Sequence, residues 1–347
     1  MTNFLAWLAA LLGMAAPGAA PAAPQEPVRL TVAASGDLLI HSPVAQRALA
    51  LGGGRGYDFA PLFAPVRRRI SRADLALCHM ETPLVPGPMQ GYPSFRTPPD
   101  LARSVRRVGW DACSTASNHA LDGGQYGVGT TLRALRRAGV RAAGTARSAA
   151  ARRRTTMLRV RGVRVAFMSY TAVSNGQLVP HPWSVNWASP GLILRDARRA
   201  RRRGARIVIV NLHWGSEYVQ SVTAPQRALA QRLTRSPAID AIVGQHAHVV
   251  QPIRRVNGKP VVFGEGNLIS NQTAACCATA AQDGLIALID FVVRPRRPAR
   301  AWRIRYVPTW VRHPDLTVRP ASPGSPSWNR TVSVAGRRPG IRPAAPR

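Results

Sequence analysis

The sequence predicts an α/β fold, and three observations carry the prediction. Short β-branched runs alternate with segments of helical periodicity along most of the chain. One of them, Ile207 to Val210, is apolar throughout, as a central strand buried on both faces requires. Polar residues able to bind metal follow these runs one after another, at the edge where the loops of an α/β sheet converge into ligand sites.

In chain order, Arg29 to Ala34 reads as a strand leading into Gly36 and Asp37. Asp74 to Leu77 is a second, leading into Cys78-His79-Met80-Glu81, and Trp110 to Cys113 is a third, leading toward Ser117-Asn118-His119. A helix is expected from about Tyr126, because Val128, Leu132 and Leu135 recur at helical spacing. Val160 to Tyr170 reads as a β-hairpin arm. The Ile207 to Val210 run continues through Asn211 and Leu212 into His213-Trp214-Gly215. Thr223 is placed to cap the next helix, with Pro225 in its first turn and Gln226 at the capping-box position. Ala241 to Val243 ends at Gly244-Gln245-His246, and Val261 to Phe263 ends at Gly264-Glu265-Gly266-Asn267. Leu285 to Val293 and Trp302 to Val307 close the sheet. Residues 313–347 are rich in Pro, Gly, Ser and Arg with little apolar periodicity, and are expected to form a disordered basic tail.

The chain has 347 residues, enough for one large domain or two modest ones, and 46% hydrophobic residues are enough to build a substantial core. Its formal charge of +33 attracts any polyanion. Lys259 is the only lysine, and the chain is also rich in Ala, Gly and Pro, the pattern a GC-rich genome writes into replaceable surface positions. The arginines are scattered and lack aromatic interleaving, which argues against specific nucleic-acid binding and leaves anionic polymers as the general partner class. Phe4 to Ala16 is apolar and small residues follow at Ala19 to Ala23, so residues 1–23 read as a signal peptide or N-terminal anchor. The run is short against the ~20 residues a membrane span needs. Export and a secreted or envelope location follow as expectations. Four cysteines fit an oxidising compartment. Cys78 and Cys113 end neighbouring strands and are expected to bridge beneath the site; no C-x-x-C pair supports a thiolate metal site.

Asp37, Glu81, Asn118, His213, His246 and His248 all fall at carboxyl ends of apolar strands and form the expected metal set. Singly, each has an ordinary structural role open to it: a helix cap, a surface carboxylate, a turn residue, a hydrogen-bonded core histidine. The His246-Ala247-His248 segment is more specific, since residues i and i+2 of an extended backbone project to one side. Carboxylates, one amide oxygen and several imidazoles suit a divalent transition metal, one or two ions of Zn, Mn or Fe. Two carboxylates allow one to bridge two ions, an arrangement that activates water and clamps phosphoryl oxygens.

Six segments resemble the CapA-like capsule and poly-γ-glutamate biosynthesis proteins, in family order over roughly residues 28–312. They are Gly36-Asp37 to His41, His79-Met-Glu81 to Leu84, Ala116-Ser-Asn118-His119 to Gly124, Leu212-His213 to Tyr218, Gly244-Gln-His246-Ala-His248 to Pro252, and Gly264-Glu-Gly-Asn267 to Gln272. The resemblance implies a metallophosphatase-like fold, a layered α/β sandwich with mixed sheets. By analogy with dinuclear phosphatases it implies that Asp37 and His248 hold one metal, that Asn118, His213 and His246 hold a second, and that Glu81 bridges. His119 matches the histidine that protonates a leaving oxygen, with a hydrogen bond to Asp122 as its alternative role. Glu217 and Tyr218 would line the substrate side, with Asn267 beside the site. Leu39 stands where phosphatases place a histidine; His41 could substitute only if the loop curls back. His79 stands where the family usually has Asn, and would either ligate or orient Glu81.

The expected function is that of an exported protein in capsule or poly-γ-glutamate type polymer synthesis or transport, partnered by an anionic cell-surface polymer and a membrane synthase or export complex. Two rivals belong to other classes: a metal-dependent hydrolase of phosphoesters or amide-linked polymer, and a non-catalytic cationic polymer-binding module.

Overall fold

A computed structural model describes residues 26–344; the expected leader, residues 1–23, lies outside them. In chain order the strands are β1 (Val28–Leu38), β2 (Leu75–Met80), β3 (Ala112–Ser114), β4 (Arg141–Ala143), β5 (Thr156–Val160), β6 (Val163–Thr171), β7 (Ile207–Trp214) and β8 (Ala241–His246). They continue with β9 (Ile253–Val256), β10 (Lys259–Val262), β11 (Asn267–Ile269), β12 (Asp283–Val293), β13 (Arg300–Arg312), β14 (Thr317–Pro320) and β15 (Ile341–Pro343). The helices are α1 (Ser42–Leu51), α2 (Arg67–Ser71), α3 (Asp100–Val108), α4 (Gly124–Arg137), α5 (Ala149–Arg152), α6 (Pro190–Arg202), α7 (Ala224–Thr234) and α8 (Pro326–Ala335).

The strands form two mixed sheets, the larger ordered β14-β13-β12-β1-β2-β3-β4, the smaller β5-β6-β7-β8-β10-β9. Their inner faces meet in one apolar layer in which Val32, Leu75 and Ala112 of the first pack with Val165, Ile207 and Ala241 of the second. Val44, Leu101 and Leu135 of α1, α3 and α4 cover the outer face of the larger sheet, and Ile193, Ala197 and Leu233 of α6 and α7 cover that of the smaller. The result is the layered α/β sandwich that the resemblance implied.

Local chemistry explains the element boundaries. All eight residues of β7 are buried, as its apolar run requires. Thr223 accepts a hydrogen bond from Gln226 N, and the Gln226 side chain accepts one from Thr223 N, closing the expected capping box on α7. The hairpin arm is β5 antiparallel to β6, turned through Arg161 and Gly162, both at positive φ as a two-residue turn demands. β6 then runs on as a core strand parallel to β7.

The segment from 313 onward differs from the expected disordered tail. It forms β14, α8 and β15, the two strands pairing with β13. Leu316, Val318, Ala335 and Ile341 are buried, Arg330 pairs with buried Asp283, and the Tyr306 hydroxyl donates to Gly336 O. A few apolar residues set against an existing sheet edge order a segment whose composition alone predicts none. No helix among the described residues is long and apolar enough to cross a membrane.

Candidate metal centre

β1, β2 and β3 run parallel, and so do β7 and β8. Their carboxyl ends therefore share one edge of the sandwich. Strand register there places Asn267, Asp37, His79 and Ser114 in a row across the larger sheet. His213 and His246 end β7 and β8 of the smaller sheet. Glu81 follows β2 by one residue, and Asn118 lies in the loop after β3. Gly36 lets the backbones touch beside Asp37: a Cβ there would lie 1.8 Å from Gly266 O, and Asp37 N donates to that carbonyl.

The donor atoms converge. Asp37, His79 and His213 present one atom each within 4.8 Å of one another, and so do Asp37, Glu81 and His248. Asp37 is common to both groups. His248 Nδ1 lies 3.3 Å from Asp37 Oδ2, its Nε2 lies 3.7 Å from Glu81 Oε1, and His79 Nε2 lies 3.8 Å from Asp37 Oδ1. His213 Nε2 is 2.8 Å from Asn118 Oδ1 and 4.0 Å from Glu81 Oε1. The His246 ring packs 4.7 Å from that of His213.

Hydrogen bonding does not satisfy these atoms. Both carboxylate oxygens of Asp37 and of Glu81, Nε2 of His79, and Nδ1 of His213 and of His246 are buried with no hydrogen-bond partner. Leaving one such group unpaired costs about 1–3 kcal/mol, more if it is charged. So many gathered in one place fit a divalent metal, which takes carboxylate oxygen and imidazole nitrogen together.

Electrostatics agree with that fit. Burial holds His79 at about 4 and His246 at about 3, and depresses His213 well below the imidazole range, so all three rings are neutral and able to ligate. Burial also works against charge on His248, but the Glu81 and Asp37 carboxylates beside it prevail and raise it to about 9. Burial pushes Glu81 well above the usual carboxylate range.

Neighbouring groups orient the rings. Ser114 Oγ holds His79 Nδ1 at 2.7 Å, and Asn267 Oδ1 lies 3.1 Å from His248 Nδ1. His119 Nδ1 sits 2.8 Å from Asp122 Oδ2, and Asp122 is itself fixed by Phe95 N and by the Gln177 amide. Gln245 donates to Glu265, whose second oxygen is buried and unpaired. His41 precedes α1 without capping it, and its Nδ1 accepts from Asn271 N; burial and the charge on His248 hold it at about 4. Tyr218 accepts from Gln272 and lies 6.0 Å from the His248 ring, whereas Glu217 is exposed.

The expected site residues thus come to one edge, with one difference in detail. His246 and His248 reach the cavity not from extended backbone but from positive φ, at +92° and +55°. Such backbone costs of order 1–3 kcal/mol per residue and is held only where surrounding structure compels it. His79, expected as a ligand or an orienting residue, is among the gathered donors. Asn175, whose Oδ1 accepts from Asn118 and whose Nδ2 lies 3.4 Å from both ring nitrogens of His119, carried no signal in the sequence. It sits in a loop outside every apolar run.

Residues 31–272 match the family model described as Bacterial capsule synthesis protein PGA_cap. The chain belongs to that family. It is 31% identical over 191 residues to a protein of Mycobacterium tuberculosis named Probable polyglutamine synthesis accessory protein, covering 51% of this chain and 50% of that one. It is 28% identical over 185 residues to the PGA biosynthesis protein CapA of Bacillus subtilis, covering 51% and 47%. The chain thus spans about half the length of these curated relatives. Among solved structures it is similar to a calcineurin-like phosphoesterase of Bacillus subtilis, with a TM-score of 0.46 and 14% identity over 82% of this chain and 91% of that one.

Proposed function

We propose that this family member acts at the cell envelope in synthesis or export of an anionic capsule polymer of the poly-γ-glutamate type, through a metal-dependent site at the shared sheet edge. The observation that carries the metal reading is the set of buried, unpaired atoms on Asp37, Glu81, His79, His213 and His246. In this reading Asp37, Glu81 and His248 form one donor set and Asp37, His79 and His213 the other, with Asn118 and His246 beside His213. Leu39 is buried and offers no ligand, and His79 adds an imidazole beside Asp37. A bound divalent transition metal would supply Lewis acidity and lower the pKa of water.

The remaining residues divide the other tasks. Asp122 anchors His119 at Nδ1, which leaves Nε2 as the atom able to give a proton to a leaving oxygen. Tyr218, half-buried beside His248, and His41 would line the approach, joined through Asn271 and Gln272. The hydrolytic reading draws its support from the placing of His119 beside Asn118 and the gathered donors, its ring held by Asp122.

Metal analysis of the purified mature chain by plasma mass spectrometry, without added metal or chelator, tests the reading. The expected result is one to two transition-metal ions per chain, with hydrolysis of a phosphodiester or γ-glutamyl substrate that EDTA abolishes. A chain that takes up no metal after reconstitution with Zn²⁺ and Mn²⁺ would overturn it.

A further inference from the structure

A second site lies at the other end of the larger sheet. There the face of β12 and β13 that carries Leu288, Arg303 and Arg305 opens, beside α2, into a cleft of roughly 880 Å³. Arg303 and Arg305, two residues apart on β13, project from its floor beside Leu288 and Thr31. Arg68 and Arg72 stand on one wall, at α2, and Arg342 of β15 on another. No acidic residue lines it. Asp290 lies on the same face, buried beneath the guanidiniums, where it accepts from Thr31 Oγ1, from Arg303 Nε and from both Nε and Nη2 of Arg305. That carboxylate fixes two guanidiniums in place and offsets one charge of the cluster.

Genomic base composition explains arginines scattered over a surface; it does not explain why three distant stretches of chain bring theirs to one concavity. Like charges gathered in a cleft with low-dielectric walls repel each other and focus the field outward, which raises the local concentration of an anionic ligand. The planar guanidinium fork matches carboxylate geometry, and Leu288, Pro343 and Ala344 supply apolar wall for the methylenes between successive carboxylates. A concave cleft admits an extended chain, whereas a flat bilayer would touch only its rim. Thr31 lines the cleft and Asp37 lies six residues further along the same strand, so the two sites are separated by about 20 Å at 3.3 Å per residue.

We propose that this cleft is a docking groove for a polycarboxylate chain, separate from the metal centre. The choice of polymer rests on the capsule-polymer reading above; the groove itself rests on its arginines and shape.

The test measures binding of defined-length polyglutamate to the full chain by fluorescence anisotropy. It compares wild type with a triple variant, Arg68→Ala, Arg72→Ala and Arg342→Ala, all exposed. The control triple Arg47→Ala, Arg136→Ala and Arg232→Ala removes the same charge from exposed positions on three other helices. The groove triple should weaken binding about tenfold or more and the control by less than about threefold, with metal content unchanged in both. The single reversal Arg342→Glu should weaken binding in the same direction and guards against misfolding of the triple. Equal losses in the two triples would reduce the effect to diffuse charge and overturn the groove. Groove-dependent binding of polyphosphate or of phosphatidylglycerol vesicles, with none of polyglutamate, would overturn the polycarboxylate assignment. Absence of polymer binding in a chain that still takes up metal sinks the groove and leaves the metal centre standing; groove-dependent binding by a chain that takes up no metal does the reverse.

Discussion

His246 shows at the scale of one residue how the centre is built. Its Nδ1 is buried and unpaired, as a metal-ligating nitrogen would be, and its backbone sits at positive φ. The variant His246→Ala should stay folded by circular dichroism and lose at least half its metal; full metal content in a folded variant would remove it from the donor set. His119→Ala should keep its metal and slow hydrolysis by about 10²–10⁴-fold, the usual contribution of a positioned general acid. His248 makes the pH dependence testable. Its folded value near 9 lies above the ordinary 6.5, so the stability it gives the metal-free protein is full below pH 6.5 and is lost as pH rises through 9. Metal must displace that proton, so metal affinity should rise with pH across the same window. Thermal melts of metal-free and metal-loaded protein at pH 6.5, 7.5 and 9 should therefore diverge, and a constant gap would refute the assignment. The convergence of the candidate donor residues was legible in the sequence because each interrupts or closely follows an apolar run. The weight of His79 was harder to read, because it depends on strand register: β2 pairs His79 opposite Asp37, and no local pattern reports that pairing.

Elements show a similar division. The long apolar strands and the α7 capping box could be read directly, since burial on both faces and a reciprocal cap each leave a local signature. The last part of the chain could not. β14 and β15 have only four and three residues, too few for a period to show, and their order comes from the edge of β13. Truncation after residue 312 tests their contribution. It uncovers that edge and removes the buried side chains of Leu316, Val318 and Ile341, and should lower Tm by about 5 °C or more or leave the protein insoluble. An unchanged melt would mean that the segment is dispensable.

The described residues form two sheets packed face to face, with a candidate metal centre at the edge where their strands end and an arginine cleft far from it. Net charge was visible in the composition, but its concentration at Arg68, Arg72, Arg303, Arg305 and Arg342 appears only once the chain is folded. The Cys78–Cys113 disulfide links β2 to β3 across 35 residues of sequence. In the chain-entropy treatment a loop of that length contributes about 3–4 kcal/mol. The double variant Cys78→Ser/Cys113→Ser should melt earlier by a corresponding amount, and an unchanged melt would remove the bridge from the account. The next residue on each strand is a member of the hydrogen-bonded pair His79 and Ser114, so the covalent link also clamps the ring that faces Asp37. Reduction of that bridge is therefore expected to loosen the candidate donor His79 while leaving the sheets in place, so the reduced protein should retain less metal than the oxidised one.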